Sequence, residues 1–481
     1  MLTRREMISS LGALPAASLL GPGRLYAEAV SELPRRTLGR TGRQVVPLAL
    51  GGSASLSHPS EGLDAADIIV RAVQLGINYL DTANAYGPSQ VIYGEAFRRL
   101  HLTPTDPDYN LPLRQSLYLN SKTSARYAAH PNPPQGWEPG PPRLAINDLK
   151  RTLTQLFGDG KGYIPEGAYL DCVQIHNMSR MEDVDQVYEG LAARGSFDPP
   201  ERIGTIAGLL DYRDGTNYTG LNPEHRVWVR HIGITGHASS PILMRAVRLD
   251  DQDILDTVLM ALNANDRLYG SNQNNILPLA MARGMGVIAM KIFADGAMYG
   301  APKHSLTSAK DIILSVGKPG AISPKDLIRY PLSLPGVTCE VVGIGRIDRH
   351  RPEADQLVAN LAAAVSDMPS ELERRRIEKE TAERQGADTN FFQEKRADIV
   401  QPTSIQVKKD SERVIVEWNT ALAGPDPIRS YEIRVGQRVV MSLPYRPQLT
   451  EAPLKAFLPA SEVGEEAITV VASTAAPREK A

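Results

Sequence analysis

Eight short apolar runs, separated by amphipathic helical patterns, constrain this chain more than any other feature. They lie at Val46 to Leu50, Ile77 to Leu80, Leu117 to Leu119, Leu170 to Ile175, His231 to Ile234, Val258 to Leu262, Val287 to Met290 and Val337 to Val342. Between most of them, stretches such as Ala65 to Val73 and Ala145 to Leu153 place apolar residues at the spacing of a helix with one buried face. A run that is apolar throughout has no solvated face, so each strand must be covered on both sides, as in parallel strands joined by helices that cross outside. Strand and helix alternating eight times predict an α/β fold, a closed (β/α)8 TIM barrel. Thr37 to Val46, two β-prone runs about a Gly-containing turn, predict a small N-terminal β-hairpin ahead of it.

Polar chemistry falls at the ends of these runs: Asp81-Thr82, Asn120-Ser121-Lys122, His176-Asn177, Thr235-Gly236-His237, Asn263 and Lys291. In such a barrel the loops at the C-terminal strand ends converge on one mouth, so these clusters are expected to meet. Two unpatterned stretches, His130 to Pro142 and Ser196 to Glu224, read as lids or specificity loops on that side, with idle surface loops as the alternative. Past the eighth run, Leu357 to Val365 reads as a closing helix and Glu371 to Glu380 as a helix with a solvated face of mixed charge. From Gln401 short alternating strands replace this pattern: Val414 to Trp418, Tyr431 to Val435, Val439 to Met441 and Ala467 to Val471. They predict a small C-terminal all-β sandwich that resembles fibronectin type III, or a generic all-β appendage, with Trp418 and Tyr431 in its core. The expected units are residues 1–29, 36–398 and 401–476.

The first of these is not a membrane anchor: Ser9 to Leu20 is too short and too rich in small residues to span a bilayer. Arg4-Arg5 ahead of that run and Ala27-Glu28-Ala29 after it resemble a bacterial twin-arginine signal peptide, which predicts a periplasmic protein exported already folded. The other reading is an N-terminal arm on a cytoplasmic protein. Lys+Arg 53 against Asp+Glu 55 leaves a net charge of -2, so no nucleic acid or anionic membrane is expected as a partner. The two cysteines, Cys172 and Cys339, sit inside apolar runs and exclude a disulfide scaffold or a four-cysteine metal site. His231 and His237 lie six apart on one strand with no carboxylate in their cluster, so no metal site is expected.

Leu80-Asp81-Thr82-Ala83-Asn84-Ala85-Tyr86-Gly87, Lys122 ending the third strand and Gln174-Ile175-His176-Asn177 ending the fourth together resemble the aldo-keto reductase superfamily. The resemblance runs from about Arg36 to Ala364 and implies a catalytic tetrad of Asp81, Tyr86, Lys122 and His176 in a barrel that binds NADP(H) without a dinucleotide-binding Gly-rich turn. The residues agree chemically. Reducing a carbonyl takes a hydride at carbon and a proton at oxygen, and an isolated tyrosine at pKa ~10 is a sluggish donor near neutrality. An ammonium about 4 Å away supplies on the order of 4 kcal/mol at an effective dielectric near 20, enough to lower that pKa by about three units. Lys122 is the expected cation, Asp81 the group that keeps it charged, His176 the group that orients the carbonyl oxygen, and Tyr86 the general acid/base. Taken singly, a strand-end Asp is more often a cap, a Tyr packing and a His core. The ordered set carries the assignment.

The resemblance extends to cofactor contacts. Thr235, Gly236 and His237 stand where many members have a Ser-Asn pair at the nicotinamide amide, with Asn263 and Lys291 alongside, and Met290 stands where many stack an aromatic ring. Gly343, Gly345, Arg346, Gln356 and Asn360 resemble the adenosine-phosphate site, where Arg346, with Arg349 and Arg351, favours NADP over NAD. Asn177 and Phe293 are candidate substrate contacts. The expected substrate is a small carbonyl compound or a sugar, and the C-terminal domain is a candidate binder of protein or glycan. The competing readings are a non-turnover cofactor-binding protein and a carbohydrate-binding protein on a reductase-like barrel.

Overall fold

The computed structural model describes residues 33–132, 143–196, 200–316, 322–385, 388–396, 398–409, 411–464 and 466–477. The twin-arginine segment and Pro133 to Pro142 lie outside the described residues. The chain opens with an antiparallel hairpin, β1 (Arg36–Thr37) and β2 (Gln44–Val45). Leu38 and Val45 of this hairpin are fully buried and plug the bottom of the barrel. Eight strands then close a parallel barrel: β3 (Leu48–Gly51), β4 (Tyr79–Asp81), β5 (Tyr118–Thr123), β7 (Leu170–Ile175), β9 (Val229–Gly236), β10 (Leu255–Ala261), β11 (Gly286–Met290) and β12 (Val337–Gly343). All eight expected runs are barrel strands, and every one of their neighbour pairings is parallel.

The helices outside are α1 (Ala65–Gln74), α2 (Ser89–Arg99), α3 (Leu111–Ser116), α4 (Ala145–Phe157), α5 (Met181–Tyr188), α6 (Thr205–Asp214), α7 (Ser240–Leu249), α8 (Ile276–Ala282), α9 (Pro324–Leu332), α10 (Gln356–Ala364) and α11 (Glu371–Gln385). Their inner faces form one continuous core with the outward-facing strand residues, while Tyr79, Tyr118, Cys172, Leu259, Ile288 and Cys339 fill the bore. β7 and β12, which carry the two thiols, stand on opposite sides of that bore. Burial pushes the Cys172 thiol up to about 12 and raises Cys339 as well.

The expectation for Ser196 to Glu224 needs correction. This stretch is not an unstructured insert: it holds β8 (Ile203–Gly204), paired with β6 (Tyr127–Ala129), and the whole of α6. α6 escaped the periodicity argument because eight of its ten residues are buried, so it has no polar stripe to alternate against.

Beyond α11, six strands form two three-stranded antiparallel sheets, β13 (Thr403–Lys409), β14 (Arg413–Asn419) and β17 (Leu454–Pro459) in one, β16 (Arg438–Pro444), β15 (Ser430–Val435) and β18 (Ile468–Ser473) in the other. They enclose a separate core in which Trp418 and Tyr431 meet edge to face with ring centroids 5.5 Å apart. The Tyr431 hydroxyl accepts from the Ala421 backbone N–H at 3.2 Å, so both expected core aromatics are in place. β13 and β17 were not expected. β13 is exposed along its length and alternates over only two apolar residues, Ile405 and Val407.

Candidate active site

Asp81 is the last residue of β4, and the turn after it returns Tyr86 over the barrel mouth, held by Tyr86 N donating to Ala83 O at 3.2 Å and a Thr82–Ser89 hydroxyl pair at 2.9 Å. Lys122 lies on β5 with its side chain inside the barrel. Its Nζ donates to Asp81 Oδ2 at 2.5 Å and to Thr82 O at 3.0 Å, and lies 4.7 Å from the centre of the Tyr86 ring. His176 follows β7, and its ring meets Tyr86 nearly at right angles with centroids 5.6 Å apart. Four residues from three strand ends thus gather at one point, as expected from the barrel's geometry.

Burial and charge act against each other here. Burial raises the Asp81 carboxyl above its ordinary value, against the pull of the Lys122 ammonium and the Asn120 amide. Burial also opposes the Lys122 charge, yet the Asp81 carboxylate and Tyr86 hold its ammonium above the ordinary value. For Tyr86 the expectation of a lowered pKa is corrected: desolvation is the larger effect, and the hydroxyl sits above its ordinary value although Lys122 pulls it down. Tyr86 is therefore kept protonated, ready to donate. Burial, followed by the charge of Lys122, pushes His176 well below its usual value, so the imidazole is neutral.

Under the tetrad runs a buried chain of amides and hydroxyls. Asn120 Nδ2 donates to Asp81 Oδ1 at 2.7 Å and to Gln174 Oε1 at 3.0 Å, and Gln174 Nε2 donates to Thr257 Oγ1 at 3.1 Å. Fixed dipoles of this kind fill the role water has elsewhere and hold the carboxylate in one orientation. Asn120 was visible in the sequence only as a polar residue at a strand end; nothing there assigned it a task.

The tetrad opens into a cavity of about 610 Å³, in the size range of small-molecule and cofactor sites. Asp81, Tyr86 and His176 line it, as do the expected residues Asn177, His237, Met290, Lys291, Phe293, Gly343, Gly345, Gln356 and Asn360. Lys122 lies beneath the lining, against Tyr86. Other expected contacts stand outside it. Thr235 is buried and its Oγ1 accepts from the Asn177 N–H at 2.8 Å, which fixes the loop after β7. A Cβ on Gly236 would come within 2.9 Å of Leu243, so this glycine serves packing. Asn263 donates to Lys291 O at 2.8 Å and pairs with Asn390. Arg346 stands at the rim, half exposed, with Asp348 at 3.6 Å, while Arg349 is committed to Asp67 and Arg351 to Asp348. No described residue of the Ser196 to Glu224 stretch lines the cavity.

Three features of the lining go beyond the expected contacts, although Lys291, Phe293, Gly345 and Gln356 within them were expected. The first is the run from Lys291 to Val316, which walls the far end and is tied to the exit of β12 by one side chain. Gln356 Oε1 accepts from the Gly345 and Arg346 N–H groups at 2.7 and 3.0 Å, while its Nε2 donates to Ile313 O and Ser315 O at 2.9 and 3.1 Å. A Cβ on Gly345 would stand 2.3 Å from Ile313 O, so only glycine lets the two segments approach. The second is the pair Lys291 and Asp295, bonded at 2.5 Å; both have positive φ, 59° and 53°, as does Asn177 at 55°. Such strain in non-glycine residues gathers at functional sites. The third is Phe392, delivered from beyond the barrel's last helix. Its ring lies 6.4 Å from that of His237, which donates from Nδ1 to Asn177 Oδ1 at 2.9 Å and is pushed by burial to about 3, so it too is neutral.

Residues 47–194 match the Aldo/keto reductase family. The chain is 27% identical over 158 residues, 32% of its length, to the uncharacterized oxidoreductase YqkF of Bacillus subtilis, and the match spans 42% of that protein. Among solved structures, it is similar to an aldo-keto reductase of Bacillus halodurans in its holo form, at 20% identity and TM-score 0.44 over 72% of this chain and 96% of that one. It is likewise similar to an aldo-keto reductase of Klebsiella pneumoniae in complex with NADPH, at 16% identity and TM-score 0.44 over 73% of this chain and 96% of that one. The family match falls on β3 through β7, the strands whose ends carry the tetrad.

Proposed function

We propose that the protein is an NADP-dependent oxidoreductase, with NAD as the alternative nucleotide, that moves a hydride between nicotinamide and a carbonyl or alcohol substrate. The observation that carries this is Tyr86 poised over the Lys122–Asp81 ion pair and beside a neutral His176 at the wall of one cavity. The lining has the size and the polar groups to take a dinucleotide, with the Gly343 and Gly345 backbone and Asn360 among its residues. Met290, Gly343, Gly345 and Asn360 would hold the nucleotide, which when bound supplies or accepts the hydride. Tyr86 gives the proton to the carbonyl oxygen in reduction and takes it back in oxidation. Lys122 stabilises the tyrosinate left behind, and Asp81 keeps Lys122 aimed. His176, being neutral, donates a hydrogen bond to that oxygen without adding charge.

The charges at the tetrad end favour a neutral, hydroxyl-bearing substrate. Lys122 is paired with Asp81 and Lys291 with Asp295, and both histidines are uncharged, so the wall offers donors and acceptors but no net charge to a carboxylate or phosphate. The test is Tyr86→Phe, which is expected to lower kcat by about 10³-fold with nucleotide affinity kept. Undiminished turnover would sink the assignment.

The N-terminal sequence supports export by the twin-arginine route, and the strand order of the C-terminal sheets supports a fibronectin type III-like domain, a candidate binder of protein or glycan. An exported enzyme has no supply of free NADPH, so the nucleotide is expected to stay bound. The Gln356 tie across Ile313 and Ser315 is suited to retain it, whereas no described residue of Ser196 to Glu224 lines the cavity.

A further inference from the structure

Between α11 and the β-domain, residues Thr389 to Lys395 form a strap that crosses the barrel mouth and seats on the loop after β10. Asn390 and Asn263 exchange amide hydrogen bonds at 2.9 and 3.0 Å, Asn265 Nδ2 donates to Thr389 Oγ1 at 2.7 Å, and Gln393 Nε2 donates to Asp266 Oδ1 at 2.9 Å. Thr389, Asn390, Asn263, Asn265 and Asp266 are all fully buried, so these bonds form without competition from solvent and fix the strap closely. The strap's one cavity-lining side chain among the described residues is Phe392, which stands between His237 and Lys291, its ring 5.4 Å from the Lys291 ammonium.

The same loop is gripped from outside by the β-domain. Asn275 accepts from the Ala423 N–H at 2.8 Å and donates to Ala423 O at 3.0 Å. Asn274 donates to Gly424 O and Pro425 O, both at 3.0 Å, and Arg267 reaches Pro425 O at 2.5 Å, with Asp426 and Glu378 on its other nitrogens. Asp266 and Arg267 are adjacent in the chain; one holds the strap and the other the β-domain. A single loop of buried polar groups is therefore clamped between the two.

We propose that the β-domain is part of the substrate-recognition machinery: by fixing the loop from Asn263 to Asn275 it fixes the strap, and through the strap it sets the position of Phe392, the specificity-determining side chain of the cavity. Phe392 is the group that meets the substrate, and Asn275 and Arg267 are positioning residues that act through it. The kinetic part of the test rests on the reductase reading; the exchange part does not.

The experiment uses the full chain with Asn275→Ala, Arg267→Ala, Phe392→Ala and the two double variants. The readout is the ratio of kcat/KM for a bulky aldehyde, benzaldehyde, to that for a compact one, propanal, together with nucleotide affinity and backbone hydrogen exchange of Thr389 to Lys395. Phe392→Ala is expected to shift the ratio by about tenfold. Asn275→Ala and Arg267→Ala are expected to shift it by about threefold or more in the same direction, with no further shift once Phe392 is gone. Strap amides are expected to lose protection in Asn275→Ala with the barrel's own strands unchanged. A ratio that stays put while melting temperature falls, or effects that simply add, overturns the proposal. If neither aldehyde is reduced by the unaltered protein, the reductase reading is left to a hydroxyl-bearing substrate, and undiminished strap protection in Asn275→Ala decides against the coupling on its own.

Discussion

The two walls of the cavity are built in opposite ways. The wall of Asp81, Tyr86, Lys122 and His176 comes from the ends of β4, β5 and β7, each side chain within a few residues of a strand that the barrel already fixes. The opposite wall is assembled from Lys291 to Val316, Gln356 and Phe392, segments held by side-chain hydrogen bonds to partners far away in sequence. The first wall is rigid because the fold is rigid. The second is only as firm as its ties, and that is the wall that must part for ligands to enter.

Three variants sharpen this contrast. Lys122→Met removes the charge under Tyr86 and is expected to lower kcat by about 10³-fold, with strand geometry intact by circular dichroism and nucleotide affinity kept; a small effect would mean that the first wall does no chemistry. Asn120→Leu is expected to cost about tenfold in kcat. The sign of its pH effect follows from the bond it breaks: Asn120 helps hold Asp81 ionised, so its loss lifts a carboxyl that burial has already raised. Lys122 then loses its counter-charge over a wider acidic range, and the acidic limb of kcat moves to higher pH. An unchanged profile would make Asn120 mere packing. Gln356→Ala cuts four of the second wall's ties and is expected to speed nucleotide release several-fold with the chemical step untouched, measured by stopped-flow fluorescence. Equal slowing of chemistry and release would break the distinction between the walls.

The same contrast governs what could be read in advance. The barrel strands were legible because a strand buried on both faces reads as an apolar run, and the tetrad was legible because Asp81, Lys122 and His176 follow such runs, with Tyr86 in the turn after Asp81, in the order that the resemblance implies. α6 was not, since burial all round erased its period. The tie at Gln356 was assigned to nucleotide from the resemblance, whereas its four bonds go to the chain's own backbone. Phe392 carried no signal at all: more than two hundred residues separate it from the tetrad, and the strap's bonds to the loop after β10, the amide exchange of Asn263 with Asn390 among them, bring it back. Arg349 and Arg351 looked like a phosphate site because charge reads plainly in sequence, while their partners Asp67 and Asp348 do not.

The thiols in the bore bear on which redox compartments the folded chain can occupy. Cys172 and Cys339 face each other from opposite strands across packed tyrosines, too far round the barrel to form a bond, and neither ionises at physiological pH. The folded chain is thus indifferent to oxidant: the same covalent molecule exists in a reducing and in an oxidising compartment, with no isomerase needed on either side. It also means that a thiol reagent such as dithionitrobenzoate reports only molecules whose barrel has opened, so its rate of reaction counts how often that happens.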